Sequence, residues 1–311
     1  MTAGESGRLY RRWTVDAAAD GVRLGSFLRR QGVAAGFVSH GKFVPDGLLV
    51  NGVPSRTDTP LRAGDRVALR IDDVGRGNPA QPADCGVQVV WEDEFLAVFC
   101  KPAGLAVHGS ARVAAPTVAS FAAFHWGAEQ PFHPVNRLDR GTDGLMLVAR
   151  CGYIHDCLRR QLHTRALQRE YLAVCDGVPP QTRGALTDPI GPAAGTRRAV
   201  SPDGRPAVTR YELLAQNGAQ SLLRLQLQTG RCHQIRVHCA AHGFPLCGDA
   251  VYGGSALLSR PALHSGALRF CHPVSGESLS FSAPLPPDLR SLIARLFPAG
   301  QTGEIAIPDG L

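Results

Sequence analysis

Apolar residues recur along this chain in two periods, and each change of period marks a new element. Leu24, Phe27 and Leu28, with Gln31 on the same face, fall at helical spacing and predict a first helix. Ser39-His40-Gly41-Lys42 reads as the opening of a second, short one. Leu48-Leu49-Val50 then runs into Asn51-Gly52, a pair that tolerates positive φ at both corners of a tight turn, and Val53 lies beyond it. That is a hairpin pattern. Gly64-Asp65 leads into Val67, Leu69 and Ile71, whose alternation predicts a strand. Residues 73–84 are rich in Gly and Pro and lose periodicity, as a linker does.

The periods resume afterwards. Val87–Val90 and Phe95–Phe99 predict paired strands around Glu92-Asp93-Glu94. Thr117 is placed to cap a helix through Val118, Phe121, Ala122 and His125. Leu145–Ala149 is wholly apolar, a strand buried on both faces, and Ile154, Leu158 and Leu162 form a helical stripe. Tyr171–Cys175 predicts another strand, and Val208–Leu214, Asn217-Gly218 and Leu223–Leu227 a second hairpin. Ile235–His242 predicts a helix stopped by Gly243, and Leu289, Leu292, Ile293 and Leu296 a last one. The elements mix without βαβ regularity, so the fold class is α+β. The expected organisation is a small module at 13–72, a linker at 73–86, a large domain at 87–297 and a loose tail at 298–311.

Composition narrows the function classes. The chain has 311 residues, 44% hydrophobic and 19% charged, with glycine and proline scattered rather than periodic. That excludes collagen, extended disorder and a coiled coil. No apolar run reaches the length of a membrane span, and Met1–Arg12 lacks a signal peptide's apolar core, so a soluble, cytoplasmic protein is expected. Of 33 basic residues only Lys42 and Lys101 are lysines. Arginine's planar fork matches phosphate and stacks on bases better than lysine does. Residues 1–72 hold 11 basic against 7 acidic residues, the rest 22 against 19, so over half the net charge of +7 sits in the first quarter. Nine cysteines form no C-x-x-C pair, which favours reduced, mostly buried thiols. Cys232, His233, His238, Cys239 and His242 crowd one segment but fit no common zinc spacing, so no metal is expected.

Four segments carry chemistry. In Asn136-Arg137-Leu138-Asp139-Arg140-Gly141-Thr142-Asp143-Gly144 one carboxylate sits between two arginines in a turn. This is either a surface ion pair or an ionised nucleophile or base held charged by guanidinium groups. The others are Thr229-Gly230-Arg231-Cys232-His233-Gln234-Ile235-Arg236-Val237-His238, Arg169-Glu170-Tyr171-Leu172-Ala173 and Lys101-Pro102-Ala103-Gly104-Leu105. Each taken alone is also readable as plain structure: a polar helix start, an edge strand, a strand exit.

Together, in this order and with Phe244-Pro245-Leu246-Cys247-Gly248-Asp249 and Tyr252-Gly253 completing them, these segments resemble the RluA-type pseudouridine synthases over residues 87 to about 285. Residues 13–72 further resemble the alpha-L RNA-binding module that precedes many members, with its basic helix thinned to His40 and Lys42. The resemblance implies a mixed, mainly antiparallel central sheet flanked by helices, and isomerisation of uridine in RNA without cofactor or metal. Ribosomal RNA is the implied partner, with transfer RNA the alternative, and the protein is expected to be a monomer. It implies that Asp139 is the catalytic aspartate, Arg236 its partner, Tyr171 the aromatic against the target base and Arg137 the residue that replaces the flipped uridine. Arg140, Thr142, Arg231, His233, Gln234 and Lys101 are expected to bind substrate. Asn136 stands where histidine is commoner, Asp143 where serine is usual, and Arg169 where lysine is. Asp143 either raises the Asp139 pKa or helps to hold Arg140. An RNA-binding protein that kept the fold without the activity is the competing reading. A glycosidase would need a second placed carboxylate, for which only Glu170 and Asp143 lie near in sequence.

Overall fold

In a computed structural model, residues 8–73, 75, 77–109 and 116–298 are described. Nearly all of the expected tail lies outside them. The first unit is a four-stranded antiparallel sheet of β1 (Tyr10–Thr14), β2 (Leu48–Val50), β3 (Val53–Pro54) and β4 (Arg66–Arg70), in the order β1-β4-β2-β3, with α1 (Leu24–Arg30) and α2 (Ala35–Gly41). Asn51 and Gly52 take φ of 52° and 82°, as the hairpin requires. The Asn51 side chain also joins neighbouring turns: its amide donates to Asp65 Oδ1 at 2.8 Å and its oxygen accepts from the Arg66 amide at 2.8 Å.

Two details differ from expectation. Ser39, His40 and Gly41 close α2 rather than open it; the helix forms because Val38 is buried and Phe37 packs edge-on against Tyr153, 5.2 Å between ring centroids. β1 begins at Tyr10, ahead of residue 13. Its Tyr-Arg-Arg-Trp-Thr sequence lacks an apolar alternation, and its five-residue register with β4 holds it.

The second unit begins with β5 (Gln88–Glu92), β6 (Leu96–Lys101), α3 (Val118–Trp126), β7 (His133–Pro134), β8 (Asp143–Ala149) and α4 (Gly152–Thr164). There follow β9 (Gln168–Asp176), β10 (Arg183–Leu186), the small hairpin β11 (Ile190–Pro192) and β12 (Arg198–Val200), β13 (Thr209–Gln216) and β14 (Gln220–Leu227). It ends with α5 (Gln234–Ala241), β15 (Leu263–Cys271), β16 (Ser278–Ser282) and α6 (Pro287–Leu296). The large sheet runs β10-β13-β14-β9-β15-β8-β6-β5, with β16 on β15 and β7 on β8. Among the described strands only β15 and β8 pair in parallel, so the sheet is mixed and mainly antiparallel, an α+β fold. Thr117 forms a full capping box with Ser120 at α3.

Alternate residues of β6 and β8 feed two cores. Leu96, Val98, Leu145 and Leu147 face α4 and the first unit, in one apolar cluster that also contains Leu24, Phe27 and Leu28. Ala97, Phe99, Met146 and Val148 face α3 and α5, together with Tyr171 and Ile235. From Leu145 to Ala149 β8 is therefore wholly apolar, because both of its faces are covered. The linker is tied down rather than loose: Asn78 donates to the Ala119 carbonyl at 2.7 Å, and Asp73 meets His133 at 2.5 Å.

Candidate active site

The turn 136–142 lies between β7 and β8, at the end of β8 where β15 pairs with it. It is pinned at both ends. Asn136 is buried and its oxygen accepts from the Leu147 amide at 2.8 Å, so the residue bonds to the strand beside it. At the other end Gly144 has φ of 105°, and a Cβ there would lie 2.3 Å from the Ser265 carbonyl oxygen. Only glycine lets β8 and β15 approach this closely. Between these pins the Thr142 amide donates to the Asp139 carbonyl at 3.1 Å, closing the turn that presents Asp139.

The Asp139 side chain is 24% exposed and lies 3.5 Å from Arg236 Nη1. Arg236, at 8%, donates from Nε and Nη2 to the two oxygens of Asp249, at 2.7 and 2.8 Å. The guanidinium also lies over the Tyr252 ring, 4.9 Å from its centroid. Tyr252 is held in turn by the Arg198 amide at 3.0 Å and meets His233 Nδ1 at 2.9 Å. Burial alone would lower the arginine's pKa, but the Asp249 hydrogen bonds and the charges of Asp249 and Asp139 raise it above its ordinary value. Asp249 and Tyr252 thus belong to the site, although as single residues nothing marked them out; the Gly-Asp and Tyr-Gly pairs that contain them were the available signal.

Tyr171, Thr142, Arg137, Arg231 and His233 line the same cleft as Asp139 and Arg236. Tyr171 is 4% exposed on central strand β9, and burial pushes its phenol pKa up. Thr142 is 1% exposed, and its hydroxyl has no hydrogen-bond partner among the described residues. Burial lowers the His233 pKa, with the Asp139 charge opposing it. Arg137 is exposed and borders this cleft and the two grooves on either side of it.

Three residues expected to bind substrate lie off the open cleft or have their polar atoms engaged by the protein. Lys101 is 0% exposed, and its ammonium donates to the carbonyls of Pro102, Leu105 and Arg140, at 2.9, 2.8 and 3.3 Å. It braces the loop under the site and does not reach the cleft. Gln234 borders the cleft but is 3% exposed with its amide fully used: it donates to Val208 and Thr209 and accepts from Thr229 and Arg231. Arg140 does not line this cleft; its Nε donates to the Gly104 carbonyl at 2.8 Å and its side chain borders the adjoining groove, which Asp139 also lines.

Among the described residues Asp143 contacts neither Arg140 nor Asp139. It is buried, 2.6 Å from His264 Nδ1 and 2.9 Å from Arg260 Nη1. Arg260 also holds Asp288 on α6 through Nε and Nη2, at 2.8 and 3.0 Å, and reaches the Gly141 carbonyl at 3.3 Å. This network ties the Asp139 turn to α6, and no feature of the sequence pointed to Arg260 or His264. All nine cysteines are unpaired, with Cys232 and Cys271 exposed. His238, from the crowded segment, is satisfied by Thr209 and the Asp188 carbonyl, each at 2.9 Å.

Residues 96–241 match the family model for RNA pseudouridylate synthase. A ribosomal large subunit pseudouridine synthase D of Xanthomonas campestris is 37% identical over 269 residues, covering 80% of each chain. The uncharacterized RNA pseudouridine synthase YhcT of Bacillus subtilis is 36% identical, over 76% of this chain and 81% of its own. The chain belongs to the RluA-type RNA pseudouridine synthases. It is accordingly an isomerase that converts uridine in RNA to pseudouridine. Human RNA pseudouridylate synthase domain containing 4 shares the fold, with TM-score 0.55 and 24% identity over 67% of this chain and 92% of its own.

Proposed function

We propose that this pseudouridine synthase acts on ribosomal RNA, with Asp139 as its nucleophile. The supporting observation is the position of one carboxylate: Asp139 opens to the cleft, while Asp249 beside it has both oxygens engaged by Arg236. The isomerisation breaks the bond between uracil N1 and ribose C1′ and forms one between C5 and C1′. The proton leaving C5 is balanced by one gained at N1, so no redox partner enters. An anionic Asp139 is suited to attack the ribose or the uracil ring and to be released when the carbon–carbon bond has formed. Arg236 sets a positive charge 3.5 Å from that carboxylate.

Tyr171 is the platform for the extruded base, and Thr142, whose buried hydroxyl has no partner among the described residues, lines the cleft with it. Extrusion costs a few kcal/mol, which stacking on Tyr171 and insertion of exposed Arg137 into the vacated stack would offset. Arg231 and His233 complete the wall. The first unit, richer in net positive charge, serves as an RNA-docking module. Ribosomal RNA is favoured because the Xanthomonas relative is named for the ribosomal large subunit.

The glycosidase reading lacks its second free carboxylate. Asp143 is held by Arg260 and His264, and Glu170 pairs with Arg224 at 3.3 Å.

The test is to incubate the protein and Asp139→Asn separately with unmodified large-subunit ribosomal RNA and with transfer RNA, then to analyse the nucleosides by mass spectrometry. Pseudouridine in ribosomal RNA from the native enzyme alone is expected. Pseudouridine from Asp139→Asn would remove Asp139 as nucleophile, and product confined to transfer RNA would overturn the substrate.

A further inference from the structure

Arg169 is a buried cation without an acidic partner. The residue is 6% exposed, and its guanidinium is held only by carbonyls, Nη2 to Leu227 at 3.3 Å and to Thr229 at 3.2 Å. Its Nε is buried with no hydrogen-bond partner, and no carboxylate lies within ion-pair distance among the described residues. The other deeply placed site arginines differ: Arg236 has Asp249, and Arg260 has Asp143 and Asp288. Burial depresses the Arg169 pKa, opposed only by the Tyr171 phenol. An uncompensated charge in this position is costly unless an anion completes it.

The place for that anion is open. Arg169 borders a groove of about 640 Å³ that runs up to Asp139. Arg137, Arg140, Arg159, His163 and Arg231 also border it, and among the described residues Asp139 is the only acidic one that does. Gly230 covers the guanidinium thinly: a Cβ there would come within 3.0 Å of Nη1. Arg169 and Tyr171 are two apart on β9, hence on the same face and roughly 7 Å apart along the strand. A phosphate on Arg169 would belong to the nucleotide stacked on Tyr171 or to its immediate neighbour.

We propose that Arg169 forms, at the base of this groove, a binding subsite for a single RNA backbone phosphodiester next to the target uridine. The subsite rests on the proposed function of the cleft. Its occupant is the RNA backbone rather than free phosphate, because the groove is continuous with the site and basic along its length. The Arg169 charge anchors the strand, and the two carbonyls hold the guanidinium in place before RNA arrives.

The test uses short RNA substrates in which single linkages around the target uridine are replaced, one at a time, by neutral methylphosphonates. Each is assayed with the native enzyme, Arg169→Gln and Arg169→Lys. For the native enzyme one linkage is expected to matter most, its neutralisation raising KM about tenfold with kcat little changed. Arg169→Gln should raise KM similarly on unmodified RNA and lose sensitivity at that linkage alone, while Arg169→Lys keeps it. A linkage profile identical in the native enzyme and Arg169→Gln would overturn the subsite and leave Arg169 a brace for residues 227–229. So would a native profile with no sensitive linkage near the target, a result that needs no variant to fold. Tenfold competition by millimolar inorganic phosphate with no linkage effect would assign the site to free phosphate and also overturn it. Failure of Asp139 as nucleophile would instead appear as pseudouridine from Asp139→Asn, whatever the linkage profile.

Discussion

Arg236 gives Asp249 two nitrogens, at 2.7 and 2.8 Å, and Asp139 one, at 3.5 Å. The arginine is therefore positioned by a carboxylate whose two oxygens are both engaged, while Asp139 lines the cleft and is 24% exposed. Three charged groups, two of them nearly buried, leave one net negative charge, located on the group proposed to react. Such an arrangement sets a positive charge beside the nucleophile without tying up both of its oxygens.

Asp249→Asn removes the anchor and leaves a buried guanidinium short of a partner. Loss of one member of a buried pair costs about 3–5 kcal/mol. Urea denaturation should show a loss on that scale, and pseudouridine formation should fall with it. A variant as stable as the native protein would show that Asp249 does not hold Arg236.

Lys101 gives a pH signature. Burial pushes its ammonium from 10.5 down to about 8, outweighing the attraction of Asp143 and Asp139. Between those values the unfolded chain binds more protons than the folded one, so this group's contribution makes stability rise with pH. Below about pH 8 both states are protonated and the contribution is flat. The difference in unfolding free energy between the native protein and Lys101→Met, followed from pH 7 to 10.5, should shift in favour of the native protein only above about pH 8. A difference independent of pH over that range would contradict the depressed value.

Elements whose signal is local were legible in the sequence. The Thr117 capping box, the Asn51-Gly52 and Asn217-Gly218 hairpins and the apolar run of β8 all follow from neighbouring residues. β15 was not legible, although it joins the two halves of the sheet. Leu263, His264 and Ser265 are all buried and followed by Gly266, so only the short stretch from Leu268 to Cys271 alternates; pairing with β8 and β9, far away in sequence, creates the strand. The site follows the same rule. Motifs pointed to Asp139, Tyr171, Arg137 and Arg236 as residue types at the right spacing. They did not reveal where hydrogen bonds go, and so Lys101 and Gln234, read as substrate contacts, are braces. Asp143 was read against its sequence neighbours, yet its partner His264 lies 121 residues away.

Asp143→Ser restores the family's usual residue while removing the buried anion between Arg260 and His264. Arg260 keeps Asp288, so the cost should fall at the low end for a broken buried pair, about 3 kcal/mol. Thermal or urea denaturation measures it. Adding Arg260→Gln to Asp143→Ser should cost less than Arg260→Gln alone, because the pair is already broken. Strict additivity would show that the two side chains are not coupled.

Arg137 is exposed, forms no ion pair among the described residues, and borders the cleft and both adjoining grooves. Replacing it should leave stability within about 0.5 kcal/mol, as for surface positions free of special contacts. Its proposed role, filling the gap left by the extruded uridine, matters only where there is a stack to disrupt. Extrusion from a paired, stacked helix costs a few kcal/mol and from a flexible single strand much less. Arg137→Ala should therefore lower kcat/KM on structured ribosomal RNA about ten- to a hundredfold, the share of a stacking contact, and on a short unstructured oligonucleotide by only a few-fold. Single-turnover assays on the two substrates provide the comparison. Equal losses on both would mean that Arg137 binds the strand by charge and does not replace the flipped base.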